Sequence, residues 1–319
     1  SAALPAWPRS AGLRPVGLPL WQPGRGLGLR AVPDLSRVGG LRPVPGLWAA
    51  GSEPTPAMTA PAHRQLRHRR RRGVAVELTE RDEAVLHALA RFRLARTSDL
   101  MAYAFAGIRR DTAAVRLRRL FDGRFLSVLP PEQGKENVYR LGPAGKAFLA
   151  GAGVVAGRVP RGGLEHHLAI VSTWVAVAGL PGLELERALP DWELREQFSP
   201  AELTVVPDLF LIVRVGDCQH AVAVEVDRGT ESLAVLGRKL EAYRSLWGQS
   251  PGLFGYRQFG IGLTLDTASR RAQLAAVLKK AWVVPHVLWT IPEGPSTALC
   301  KLFDDLQRPL ETTPYGKGS

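Results

Sequence analysis

The stretch VVPDLFLIVRVGDCQHAVAVEVDRGTE, residues 205–231, constrains the architecture of this chain more than any other. Two runs rich in β-branched residues, 209–215 and 220–226, flank the pair Gly216-Asp217, a glycine-first two-residue loop of the kind tight hairpins favour. Such a turn fixes the register. Val215 faces Cys218, and counting back along both strands sets Asp208 across from Glu225, with Asp227 two residues further along on the same face. Leu209, Leu211 and Val213 fall on one side and Phe210, Ile212 and Ala223 on the other, so helices are expected to cover both faces. Carboxylates paired at the end of buried strands repel each other and lose solvation, so they require a divalent cation, a shared proton or a basic partner. The alternative is that they cap a helix or pair with an arginine, and Arg228 is adjacent.

The order Pro207-Asp208, hairpin, Glu225-Val226-Asp227, helix resembles the core of the PD-(D/E)XK nuclease superfamily. That resemblance implies a metal-dependent endonuclease or nickase in which Asp208 and Glu225 hold Mg or Mn and a lysine two residues after the glutamate activates water. Position 227 is Asp here, and a third carboxylate cannot orient or deprotonate a nucleophilic water as an ammonium does. Lys239, on the helix expected next, and Arg228 are the candidates for the missing positive charge.

The 319 residues carry a net charge of +13, distributed unevenly. Residues 1–73 hold twelve Arg, no Lys, only two acids (Asp34 and Glu53) and 11 of the 25 prolines, without a helical or strand period, so disorder is expected there. The run HRQLRHRRRR, 63–72, reads as a basic arm that adds sequence-independent phosphate contacts. The competing reading is that residues before Met58 are translated from GC-rich DNA upstream of a true start. Cys218 and Cys300 are the only cysteines, which argues against a disulfide framework or a cysteine-based zinc site and points to a reducing compartment. The longest apolar run, 168–180, is too short to span a bilayer, and the Arg-rich start lacks the continuous apolar core of a secretory signal. A cytosolic protein with no membrane partner is expected.

Residues 74–150 read as a winged helix-turn-helix. Thr79 caps a first helix with Asp82 three residues on and Val85, Leu86 and Leu89 inward; a second helix covers 98–105. The third, 111–121, is expected to turn Ala114, Leu117, Leu120 and Phe121 inward and to project Arg109, Thr112, Arg116 and Arg119 together from the other side. Strands over 125–129 and 138–141, joined by PPEQGKEN with Lys135, complete a wing. In such a module the third helix enters the major groove of double-stranded DNA while the wing, here Lys135, touches phosphates. A winged helix used for protein contacts is the bland alternative.

Residues 160–295 read as an α/β domain: helices over 164–178, 231–247 and 269–282 alternate with strands over 183–189, the hairpin, 261–265 and 286–291, followed by a C-terminal tail. The helix after the carboxylates buries Leu233, Leu236, Leu240 and Tyr243 and leaves Lys239 beside that stripe, to lean toward the carboxylates or, the preferred reading, to snorkel to water. Glu165, His166 and His167 form a polar cluster on the first helix. Adjacent helical residues diverge by about 100° and cannot share one ion; Glu165 and His167 are kept as candidates for completing the metal site, and His166 is assigned to the surface.

A winged helix followed by LEHHLAIV, VPDLFL, EVDRGTES and KLEAYRSLW resembles the replication-relaxation family of plasmid and mobile-element proteins over residues 75–290. In that family Asp after the glutamate is the normal state, so Asp227 need not mark decay. The expected fold is therefore α+β, a winged helix joined to a PD-(D/E)XK-like restriction-endonuclease fold. The expected function is DNA binding in replication, relaxation or transfer, with replication or transfer proteins as partners. The rivals are the endonuclease and a winged-helix transcriptional regulator whose α/β domain binds a ligand.

Overall fold

A computed structural model describes residues 70–71, 75–129, 136–158, 163–199, 203–229, 231–278, 284–290 and 295–307. The expected disorder of 1–73 falls almost wholly outside these residues, as does Lys135. The chain is mixed α+β with two sheets. The first part runs α1 (Glu80–Phe92), β1 (Ala95–Arg96), α2 (Thr97–Ala104), α3 (Arg110–Asp122), β2 (Leu126–Val128), β3 (Val138–Leu141) and α4 (Pro143–Gly151). Its three strands pair antiparallel in the order β1-β3-β2, with Leu126 opposite Leu141 and Ala95 opposite Tyr139. Thr79 opens α1 as expected: its N–H and hydroxyl both donate to Asp82, at 2.7 and 2.6 Å. The inward alanine of α3 is Ala113, fully buried, whereas Ala114 is exposed.

The second part runs α5 (Leu164–Ala178), β4 (Leu183–Pro190), α6 (Asp191–Gln197), β5 (Leu209–Val215), β6 (Cys218–Asp227), α7 (Leu233–Leu246), β7 (Gly260–Leu265), α8 (Ala268–Leu278), β8 (His286–Thr290) and α9 (Ser296–Gln307). Five strands order as β4-β5-β6-β7-β8. The first three are antiparallel, and β6, β7 and β8 are mutually parallel, as helical crossovers through α7 and α8 require. Gly216 takes φ +57°, and the hairpin has the register its turn dictates, from Val215 opposite Cys218 to Leu209 opposite Val224.

The alternation along β5 and β6 divides the core. Leu209, Leu211, Val213, Val222 and Val224 pack on one side with Ile170, Val171 and Trp174 of α5; Phe210, Ile212, Ala221 and Ala223 pack on the other with Leu236, Leu240 and Tyr243 of α7. The α5 side continues without a break into the core of the first part, through Phe92, Leu89 and Leu100. Polar contacts reinforce that junction: Arg91 with Glu193 at 2.8 Å, Arg93 with Glu196 at 2.7 Å, and Arg96 with Glu165 at 2.8 Å. Ser172 also donates to the buried Asp99 at 2.7 Å. Among the described residues, no helix is long and apolar enough to cross a membrane.

Candidate functional site

Asp208 stands immediately before β5 and Glu225 near the end of β6, on the face that Tyr243 covers. The two acids lie one step beyond the last paired residues, Leu209 and Val224, and Asp208 Oδ2 accepts the Val226 N–H at 2.8 Å. Glu225 is 1% exposed. Two donors from α7, one helical turn apart, converge on it: Tyr243 Oη at 2.5 Å on Oε1 and Lys239 Nζ at 3.0 Å on Oε2. Lys239 thus turns in to the carboxylate rather than out to solvent, and lies 3.6 Å from Glu231 as well. His166 Nε2, from the first turn of α5, reaches Asp208 Oδ1 at 3.1 Å. The site is therefore assembled at the end of the sheet from both helical layers.

The electrostatics follow from burial and from two acids facing each other. Desolvation, and next the charge of Asp208, push the Glu225 carboxyl up to about 8, against the pull of Lys239 and Tyr243. Burial works to lower the Lys239 ammonium, but Glu225 and Asp208 outweigh it and hold it above its ordinary value. The hydrogen bond to Asp208 raises His166, and burial beside Glu225 raises the Tyr243 phenol strongly. Asp191 at the start of α6 is also raised, by burial and then by Asp208.

The remaining sequence candidates have partners of their own. Asp227 accepts the Gly229 N–H at 2.8 Å and Arg270 Nε at 2.6 Å, forming a closed ion pair with α8. Its cation is thus Arg270, more than forty positions away, and not the neighbouring Arg228. Glu165 pairs with Arg96 at the junction. His167 is buried there too, with Nε2 donating to the Phe92 carbonyl at 2.6 Å and its ring stacked on Trp192, and burial lowers it to about 4. The histidine assignments are thus reversed: His166 reaches the carboxylates and His167 is structural. The 100° divergence carried the signal, because the residue completing the apolar stripe with Ile170 and Trp174 is His167, and the core claims it.

Two hard carboxylates on facing strands are donors suited to Mg or Mn. As arranged, however, all four of their oxygens have protein donors: His166 and Val226 on Asp208, Tyr243 and Lys239 on Glu225. Among the described residues, no group of three or more His, Cys, Asp or Glu side chains gathers to hold an ion. The arrangement does not fit a preformed metal centre; the proton that Glu225 holds up to about 8 and the ammonium of Lys239 relieve the pair.

The second candidate surface is α3. Arg109, Arg110, Thr112 and Arg119 are exposed. Arg116 is withdrawn: Nε bonds Asp82 Oδ1 at 2.7 Å, Nη2 contacts Oδ2 of the same carboxylate, and Nη2 also donates to the Glu77 carbonyl at 2.6 Å. Burial works to raise Asp82, but Arg116 and Thr79 overcome it and hold the carboxyl below its ordinary value. From the basic run, Arg70 caps the far end of α3, donating to the carbonyls of Phe121 at 3.0 Å and Leu126 at 2.9 Å with its guanidinium 4.7 Å over the Phe121 ring.

These features define a class: a two-part α+β protein in which an arginine-bearing helical unit is docked on a mixed sheet that ends in a pair of acids held by Lys239, Tyr243 and His166. The model of the replication-relaxation family matches residues 86–254, just over half the chain, and the protein belongs to that family. The match includes α3, both carboxylates, Lys239 and Tyr243. No curated protein and no solved structure matches the chain.

Proposed function

We propose that this protein binds double-stranded DNA in the replication, relaxation or transfer of a plasmid or other mobile element, together with replication or transfer proteins. The observation that carries the reading is α3, packed through Ala113, Leu117 and Leu120 and presenting Arg109, Arg110, Thr112 and Arg119 to solvent. Three helices followed by an antiparallel hairpin is the winged-helix order, and α3 stands in the place of its groove-entering helix. The second part supports a PD-(D/E)XK-like fold: helix, three antiparallel strands, helix, then a strand parallel to the third. Fluorescence anisotropy over a salt series tests the reading. Affinity is expected to fall steeply with salt, and Arg109→Ala and Arg119→Ala are each expected to weaken binding. Absence of duplex binding at low salt overturns it.

One observation favours a second reading, an endonuclease or nickase. Lys239 places an ammonium 3.0 Å from Glu225, beside the carboxylate where the motif lysine of that nuclease superfamily acts. Incubation with supercoiled plasmid in Mg²⁺ or Mn²⁺ separates the two. Nicking by wild type but not by Asp208→Ala or Glu225→Ala establishes the nuclease; no nicking, with DNA binding retained by all three proteins, leaves the carboxylates structural.

A further inference from the structure

The side of α3 that faces away from the protein is centred on Val115, a residue the arginine spacing passes over. At roughly 100° per residue, Ala113, Leu117, Leu120 and Phe121 mark the packed side and Val115 lies opposite their mean direction. Thr112, three residues before, and Arg119, four after, flank it on the same face. Val115 is 62% exposed, and the other exposed large hydrophobic residues among those described, Val155 and Val277, lie outside α3. A β-branched residue in mid-helix has a lower helical propensity than alanine or arginine, and here no packing offsets it. Arg116, about 100° further round the helix, is withdrawn onto Asp82.

We infer that Val115 reads sequence by packing against the C5 methyl of a thymine in the major groove, with Thr112 and Arg119 beside it at neighbouring base edges. The inference rests on the assignment of α3 to duplex DNA. Charge complementarity selects that occupant: Arg119, one turn on, lies beside the valine, Arg109 and Arg110 stand exposed at the start of the helix, and the exposed acid one turn before the valine, Asp111, sits in the first turn, where a helix N-terminus favours it. Thymine alone offers a methyl group in that groove, and small apolar side chains are what contact it. Val115 is the sixth of the thirteen residues of α3, within the half that a groove-entering helix presents to the bases.

The test uses the full chain. Duplexes are selected from a randomised pool, and each thymine of the winner is replaced in turn by deoxyuridine, which deletes the methyl and leaves every hydrogen-bonding group. At one position the substitution is expected to weaken wild-type binding about fourfold, the value of one buried methyl group. Val115→Ala is expected to bind thymine and deoxyuridine duplexes equally at that position, with its salt slope unchanged. Duplex retention with no methyl-dependent position, or methyl dependence that survives in Val115→Ala, overturns this inference alone. Failure to retain any duplex at low salt overturns the DNA assignment and this inference with it.

Discussion

The buried Glu225 carboxyl makes stability depend on pH in a direction opposite to that of an ordinary salt-bridged acid. Its folded value, about 8, lies above the ordinary 4.5, so between those limits the native state holds a proton that the unfolded chain has released. Stability contributed by the group is therefore present at low pH and is lost as pH rises through that window, with a slope approaching about 1.4 kcal/mol per pH unit. From pH 5 to pH 8 the loss is on the order of 3 kcal/mol. Glu225→Gln keeps an acceptor for the Tyr243 hydroxyl and removes the titration. Urea denaturation of both proteins at pH 5, 6, 7 and 8 gives a difference curve in which titrating groups remote from Glu225 cancel. Wild type is expected to lose ground steadily against Glu225→Gln as pH rises. Lys239→Met, which removes the opposing cation, should extend the decline above pH 8. Parallel curves for wild type and Glu225→Gln would refute the argument that burial and Asp208 outweigh Lys239.

Two further outcomes follow from the junction and from α3. Arg116→Ala strips a fully buried Asp82 of its guanidinium and is expected to cost on the order of 3 kcal/mol in denaturant titration, whereas Arg119→Ala should leave stability unchanged. His167, lowered by burial to about 4 from an ordinary 6.5, stays neutral in the fold while the unfolded chain takes up a proton. The contribution of His167 to stability should thus fall by about 2–3 kcal/mol as pH drops from 6.5 toward 4, so in melts read by circular dichroism the wild type should lose ground against His167→Gln over that range.

What the chain disclosed in advance was what depends on neighbours in sequence. The Gly216-Asp217 turn gave the register of β5 and β6 and so the opposition of Asp208 to Glu225, because a two-residue loop leaves no freedom. Periodicity placed α2, α3, α5 and α7 to within two residues of their described ends; the expected last residues of α8 lie outside those described, and the segment expected to be a C-terminal tail instead begins with α9, whose Leu299, Leu302 and Phe303 are buried in the core. What failed were choices decided by packing between distant elements. Arg116 fitted an exposed face by spacing, but Asp82, 34 positions earlier, captures it. Asp227 counted as a third site carboxylate until Arg270 closed on it, and Lys239 was assigned to water although an opposed pair of buried acids lay beside its helix. The short elements β1, α4 and α6 gave no periodic signal, since segments of two to nine residues contain too few turns or alternations to register.

The junction between the two parts is a matched plug and socket. In the three pairings Arg91–Glu193, Arg93–Glu196 and Arg96–Glu165, every base comes from the helical unit and every acid from the sheet domain. A chimera spliced through the connection between α4 and α5 would keep every strand pairing, since neither sheet draws strands from both halves. It would nevertheless inherit one sign of each pairing. For recombination, the arginine-bearing helical unit is therefore not a freely portable cassette: its natural unit of exchange extends through α6, where the last of the complementary glutamates resides.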